Sequence, residues 1–167
     1  MTAAVYAPVA LVLLACGGAQ HLDPPRCPID RRLVLASPDE VRRALGCQTA
    51  SAVIVRTGAT LDLALLGRLE SIDGDLVIGP TVGVDEVQLV ALRSVGGGVS
   101  VTDNAALELF DAGALVTIGK ELVVDGAPSL TLLELGALVK DAGIRIERAP
   151  ALPHEVVEQL GKPPASP

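Results

Sequence analysis

Apolar residues recur along this chain at a nearly constant spacing. Each begins a short stretch of alternating apolar and polar residues, and successive members lie 23, 23, 23 and 22 residues apart: Val53, Leu76, Val99, Leu122 and Ile144. A period in the twenties is typical of stacked coils that share one core, because no single coil can bury its own apolar face. The repeat therefore predicts a solenoid.

Other apolar positions keep a fixed offset from these opening residues. Eight residues later lie Leu61, Val84, Leu107, Leu130 and Leu152. Sixteen and nineteen residues later lie Leu69 with Ile72, Leu92 with Val95, and Leu115 with Ile118. Ten residues later, we expect Leu63, Leu109 and Leu132 to point inward, while Glu86 breaks the pattern and Val87 compensates through a local bulge. Three short strands per coil follow from this pattern.

An ordinary leucine-rich repeat has an overlapping period and is the nearest alternative. Its L-x-x-L-x-L spacing does not match, because three residues separate Leu69-Glu70-Ser71-Ile72 from Leu76. The coils also leave no room for a regular helix. The pattern favours a mainly β solenoid with strands on several sides.

Two helices are predicted, one at each end of the repeats. Ser37-Pro38-Asp39-Glu40 combines an N-cap serine, a proline at the first helical position and a glutamate placed for a capping box. Gly46 provides the stop. A second short helix is expected from His154 to Leu160, before Gly161. Both helices are expected to cover open ends of the stack, which otherwise expose core side chains.

The first 15 residues carry no charged side chain, and residues 8–15 form an apolar run too short to span a bilayer. This segment is predicted to be a signal peptide. Residues 16–28 are rich in Gly, Pro and polar residues, which is typical of a flexible tether. Residues 162–167 are expected to form a disordered tail.

The apolar run ends in Leu13-Leu14-Ala15-Cys16-Gly17-Gly18, which resembles a bacterial lipoprotein lipobox. The resemblance implies a lipid anchor on Cys16, and hence an exported protein attached to a membrane. Since Gly17 is not the aspartate that favours inner-membrane retention, we expect the outer membrane. A secreted protein with an ordinary signal peptide is the alternative.

Lipidation of Cys16 would leave two cysteines, Cys27 and Cys47, in a compartment where disulfides persist. We expect them to be bonded, which would stabilise the domain by about 3 kcal/mol in the chain-entropy model. The alternative is a pair of free buried thiols.

Composition argues against several functions. The net charge of −7 disfavours binding to nucleic acid or to an anionic membrane surface, and one Tyr, one Phe and no Trp disfavour stacking of bases or sugars. The two histidines, His21 and His154, lie outside the repeats, so neither a catalytic triad nor a histidine metal site is predicted. We expect no enzyme activity, no metal and no small-molecule cofactor.

Two outward columns are candidate binding faces, because residues at equal offsets in parallel coils lie about 4.8 Å apart. The acidic column contains Asp62, Asp85 and Glu108, which either attract a cation or basic segment or simply form a solvated face. The apolar column contains Ile54, Val77, Ser100, Val123 and Arg145. It predicts a docking surface for a protein partner, unless these residues serve only strand propensity or are covered by loops.

The segment from Leu92 to Leu107, with Val95-Gly96 before a short strand and Asn104 at the turn, resembles the receptor L-domain family. The same sequence pattern recurs from Leu115 to Leu130. The resemblance implies a right-handed β-solenoid of about five coils over residues 29–161, with a helical N-terminal cap. It implies no ligand, since fold does not specify function.

The sequence thus favours a non-catalytic cell-envelope lipoprotein that recognises a partner through its strand faces. A purely structural spacer in the envelope is the alternative. A small polysaccharide-acting β-helix enzyme is less favoured, because no cluster of acids and bases is evident.

Overall fold

In a computed structural model, residues 31–136 and 143–160 are described. This part of the chain contains two α-helices, α1 (Pro38–Ala44) and α2 (His154–Leu160), and a 3-10 helix at Leu63–Leu66. The strands are short: β1 (Arg32–Leu35), β2 (Thr49–Ala50), β3 (Ala52–Thr57), β4 (Ser71–Ile72), β5 (Leu76–Thr81), β6 (Glu86–Gln88), β7 (Ser94–Val95), β8 (Val99–Thr102), β9 (Leu109–Ala112), β10 (Thr117–Ile118), β11 (Glu121–Asp125), β12 (Leu132–Leu135) and β13 (Gly143–Glu147).

The strands form three parallel sheets that run along the stack. The broad sheet has six strands in the order β1-β3-β5-β8-β11-β13. The second sheet has the order β10-β7-β4-β2, and the third has the order β12-β9-β6. Each strand therefore pairs with its equivalent in the next coil. The predicted mainly β solenoid of about five turns is confirmed.

The sequence repeat becomes the register of the broad sheet. Val53 pairs with Leu76, and Leu76 with Val99. Leu122 pairs with Val99 on one side and with Ile144 on the other. One period thus returns the chain to the same place one coil further along, so that equivalent side chains stack directly on each other.

The first strand, β1, was not predicted. Leu33 pairs with Val53 and Leu35 with Val55, a step of 20 residues rather than 23. The step is shorter because α1 replaces part of the coil between the two strands. The repeat period therefore does not predict this strand. Leu33 and Leu35 nevertheless alternate with exposed residues and are buried like Val53 and Val55.

The core is a continuous column of aliphatic side chains. All five residues at the eight-residue offset are buried, as predicted, and so are the described residues at offsets sixteen and nineteen. Phe110 is fully buried among them. Leu138, where the sequence pattern weakens, lies outside the described residues.

The prediction at the ten-residue offset was wrong in the third and fourth coils. Leu109 is only partly buried and Leu132 is 44% exposed, whereas Val87, Phe110 and Leu133 are buried. The inward position is therefore one residue later. β6 and β9 pair without a bulge, so that Glu86 aligns with Leu109 and Val87 with Phe110. Leu63 is buried because the first coil has a 3-10 helix here.

The predicted N-terminal helix is present, and it packs against β1 and the 3-10 helix through Val41 and Ala44. Its capping differs from the prediction. Ser37 is the N-cap residue, but its side chain makes no capping hydrogen bond. Instead, Glu40 Oε2 accepts hydrogen bonds from Ala36 N at 2.7 Å and Ser37 Oγ at 3.1 Å. The glutamate thus fastens the turn that leads into the helix.

The far end of the stack has the second predicted helix. In α2, Val156, Val157 and Leu160 are partly buried against the core. Ile144 and Ile146 are also only partly buried, unlike their equivalents in the preceding coils. Neither α1 nor α2, the helices in the described part of the chain, is long and apolar enough to cross a membrane.

The predicted signal peptide at residues 1–15, the tether at residues 16–28 and the tail at residues 162–167 lie outside the described residues, as do residues 29, 30 and 161 of the predicted domain.

Candidate functional site

The outward face of the broad sheet carries a row of aligned side chains, one from each strand. The register pairs each member with the next: Val34, Ile54, Val77, Ser100, Val123 and Arg145. At about 4.8 Å per strand, this apolar row is about 24 Å long. The predicted apolar column is thus one continuous row, which the structure extends by Val34.

Exposure along the apolar row is graded. Val34 is 48% exposed at one end, the four central side chains are half-buried, and Arg145 is exposed at the other end. The half-burial arises because neighbouring strands cover part of each side chain. No described loop covers the row completely, so part of each side chain is accessible to solvent.

A shallow depression of about 400 Å³ lies over the centre of the apolar row. Its floor includes Val77, Ser100 and Val123. Charged side chains line its edge: Asp75, Lys120, Glu121 and Arg145. An apolar floor with charged groups of both signs at the rim is an arrangement that suits a protein segment better than a small ion.

Asp75 ties three coils together at this rim. Its Oδ1 accepts hydrogen bonds from Gly98 N at 2.8 Å and from Lys120 Nζ at 3.2 Å. These bonds hold the pKa of the Asp75 carboxyl below its usual range, and the bond from the Gly98 amide contributes most to this shift. The carboxylate is therefore charged at neutral pH and fixed in position.

The second rim pair is weaker. Arg145 Nη2 lies 3.9 Å from Glu121 Oε1, and both side chains are 57% exposed. A pair this long and this exposed contributes little to stability. Replacing this pair by contacts with another molecule would therefore cost the protein little stability.

The sequence could have revealed these rim residues. Asp75 and Glu121 stand immediately before the opening residues Leu76 and Leu122, so they form a further column at an offset of minus one. Lys120 lies one residue earlier still, at the corner of the coil. Lys120 and Glu121 were missed because only the offsets that follow each opening residue were considered.

The acidic column has a different character. Asp62, Asp85 and Glu108 are exposed. Asp62 Oδ1 accepts a hydrogen bond from Ala64 N, and Asp85 Oδ1 accepts one from Glu86 N, both at 3.1 Å. Two of the three carboxylates thus stabilise their own turns, a local structural role that needs no ligand.

The acidic column also lacks the geometry of a metal site. Within residues 31–136 and 143–160, no three His, Cys, Asp or Glu side chains converge so that they could hold one ion. Glu108 N donates to Asp85 O at 2.8 Å, which stacks these two residues as predicted.

Cys47 is buried, with 2% of its surface exposed, and it is disulfide-bonded. It lies three residues after the end of α1. The predicted partner, Cys27, and the predicted lipidation site, Cys16, lie outside the described residues. The pairing of Cys27 with Cys47 stays a prediction.

Comparisons with family models, with curated proteins and with solved structures found no match to this chain. The resemblances to the lipobox and to the receptor L-domain family therefore rest on the residues quoted for them.

Proposed function

We propose that this protein is a non-catalytic, exported lipoprotein that binds a protein partner on the outward face of its broad sheet. The observation that carries this proposal is the apolar row, in which half-buried Ile54, Val77 and Val123 lie in register on the six-stranded sheet. Exposed apolar strips of this kind are typical of interaction surfaces.

The charges at the rim of the depression favour a partner that carries charges of both signs. Asp75 and Glu121 offer negative charge, while Lys120 and Arg145 offer positive charge. A segment with an apolar centre flanked by charges of both signs would match this surface, because complementary charges at the edge of an interface orient the partner.

The proposed location is the outer membrane, where a lipid on Cys16 would anchor the protein. Secretion is the alternative. Metabolic labelling with a palmitate analogue tests this part. We expect label on the wild-type chain and none on Cys16→Ala. An unlabelled wild-type chain would contradict the proposed anchor.

The double variant Val77→Lys/Val123→Lys tests the binding face. Two charges at the centre of the apolar row should abolish saturable capture of a partner from envelope extract. The matched control is Val82→Lys/Val90→Lys, which changes two exposed valines, 65% and 53% accessible, outside the row. Folding of both variants is checked by circular dichroism.

Two outcomes would contradict the recognition role. One is saturable capture that both double variants retain, since the partner would then bind elsewhere. The other is the absence of saturable capture by the wild-type chain, which would favour the alternative, a structural spacer in the envelope.

A further inference from the structure

The last strand of the broad sheet, β13, has a neighbouring strand on one side only. Among the described residues, the sheet order ends at β13, and β11 is the element that packs along it. Every residue of β13 is at least partly exposed, whereas each other strand of the broad sheet buries two or more of its residues. The described part of this sheet therefore ends in an open strand edge.

The open edge presents backbone groups that can form further hydrogen bonds. In the preceding coils, an opening residue donates toward the next coil, as Leu76 N does to Gly98 O at 2.9 Å. Ile144 is the equivalent residue of the last coil, and Ile146 points the same way because backbone N–H and C=O groups alternate between the two edges of a strand. No described strand pairs with this edge. Ile144 and Ile146 therefore turn their backbone groups toward the open side.

The outward side chains of β13 carry opposite charges two residues apart. Arg145 is 57% exposed, and its pair with Glu121 is long at 3.9 Å. Glu147 is also exposed, and it forms no ion pair within the described residues. A strand with a positive and then a negative side chain at this spacing is complementary to a copy of itself that runs in the opposite direction.

We infer that β13 pairs antiparallel with β13 of a second copy of this chain, around a two-fold axis. Ile146 lies opposite the second copy's Ile146, and the two residues exchange backbone hydrogen bonds. Arg145 then lies opposite the second copy's Glu147, and the axis repeats this contact. With Ile144 opposite Ile146, two copies of Arg145 would face each other, and with Ile144 opposite Ile144, Arg145 would face Gly143. Charge therefore selects the register centred on Ile146.

Head-to-tail stacking, with β13 against β1 of the next copy, is less complementary. Continuing the parallel register would place Ile144 beside Leu33 and Arg145 beside Val34, so that the charges of β13 would gain no partner. Such a contact would also build an open filament, whereas a two-fold contact closes at a dimer. A single strand pair is a small interface, so we expect the dimer to be reversible.

The dimer is compatible with the proposed binding face but does not depend on it. Arg145 and Glu147 both point outward, so the apolar rows of the two copies lie on the same side of the joined sheet. The lipid anchor proposed on Cys16 has no part in the contact.

Sedimentation velocity over a range of protein concentrations tests the inference. The complete chain carries Cys16→Ala, so that no lipid is attached, and a mild detergent shields the apolar run at residues 8–15. We expect a monomer at low concentration and a dimer at high concentration, with no larger species. Circular dichroism checks that each variant is folded.

Arg145→Glu and Glu147→Arg should each weaken dimerisation by about tenfold, because each places like charges opposite one another twice. An equimolar mixture of the two single variants should dimerise like the wild-type chain, since opposite charges then face each other again. The double variant Arg145→Glu/Glu147→Arg should dimerise for the same reason. Arg93→Glu and Glu70→Arg are matched controls in exposed positions away from β13, and they should leave the dimer unchanged.

A wild-type chain that stays monomeric at every concentration would overturn the inference, as would single variants that dimerise like the wild-type chain. Loss of the dimer in both single variants without recovery in their mixture would overturn it as well, because the defect would then not lie in the charge pairing. Species that grow beyond a dimer would show head-to-tail stacking instead.

Discussion

Thr81 Oγ1 donates a hydrogen bond to Asn104 Oδ1 at 2.8 Å, in the interior of the solenoid. The two residues lie in adjacent coils and are the only buried polar side chains among the described residues. Asn104 Nδ2 also donates to the carbonyl oxygen of Ile78 at 3.0 Å. The single asparagine of the chain therefore fastens two coils together at a corner of the stack.

Replacing Asn104 with alanine should lower the free energy of unfolding by about 3 kcal/mol, because the Ile78 carbonyl and the Thr81 hydroxyl then lose a buried partner. Chemical denaturation measures this loss. The double variant Thr81→Val/Asn104→Ala should lose less than the sum of the single variants. Strict additivity would contradict a direct interaction between the two side chains.

Gly119→Ala should destabilise the protein by about 1–3 kcal/mol. A Cβ at this position would overlap the carbonyl oxygen of Gly96 in the preceding coil, so the two coils would have to separate. The control is Gly58→Ala, where a Cβ meets no atom within 4 Å. Similar thermal midpoints for the two variants would contradict the close stacking at this corner.

Acid should weaken the last coil through Asp125. Arg148 Nε and Nη2 donate to the two carboxylate oxygens of Asp125 at 2.5 and 2.7 Å. These bonds lower the pKa of Asp125 in the folded protein. A carboxyl with a lowered folded pKa contributes stability above its unfolded pKa of about 4, and that contribution is lost as the pH falls through the folded pKa.

Arg148→Gln should therefore show a smaller drop in thermal midpoint than the wild-type chain between about pH 5 and about pH 2. Arg93→Gln, an exposed arginine of a middle coil, is the charge-matched control and should keep the wild-type pH dependence. Identical pH profiles for the wild-type chain and Arg148→Gln would show that the pair has no role in acid stability.

Calcium should leave the thermal midpoint unchanged at millimolar concentration. Asp62 and Asp85 are engaged with backbone amides, and no described group of three ligands converges on one position. Thermal unfolding with calcium and with a chelator measures this. A rise of several degrees that Asp85→Asn removes would instead show a cation site in the acidic column.

The repeat made the fold predictable to a considerable depth. A constant step between apolar residues gives the register of a parallel stack directly. The repeat therefore predicts correctly that Val53, Leu76 and Val99 align in adjacent strands. The apolar row followed from the same rule, since side chains alternate along a strand and equal offsets stack.

The ten-residue offset shows where this reasoning fails. Leu109 and Leu132 are apolar, as core residues are, yet they are not buried, and Phe110 and Leu133 take the inward positions. The sequence carried a signal for this register, because the second coil has Glu86 at the ten-residue offset and Val87 at the next position. The prediction of a local bulge at Val87 set that signal aside.

The sequence by itself determined the number of coils, the register of the broad sheet and the identity of most core residues, because equivalent apolar residues of successive coils are buried against each other. Tertiary structure alone decided what meets across coils. Asp75 and Lys120 are 45 residues apart yet hydrogen-bonded, and Thr81 is hydrogen-bonded to Asn104 inside the stack. The spacing of apolar residues places such polar side chains near a corner, but it does not determine which of them pair, because a hydrogen bond depends on the local path of each coil.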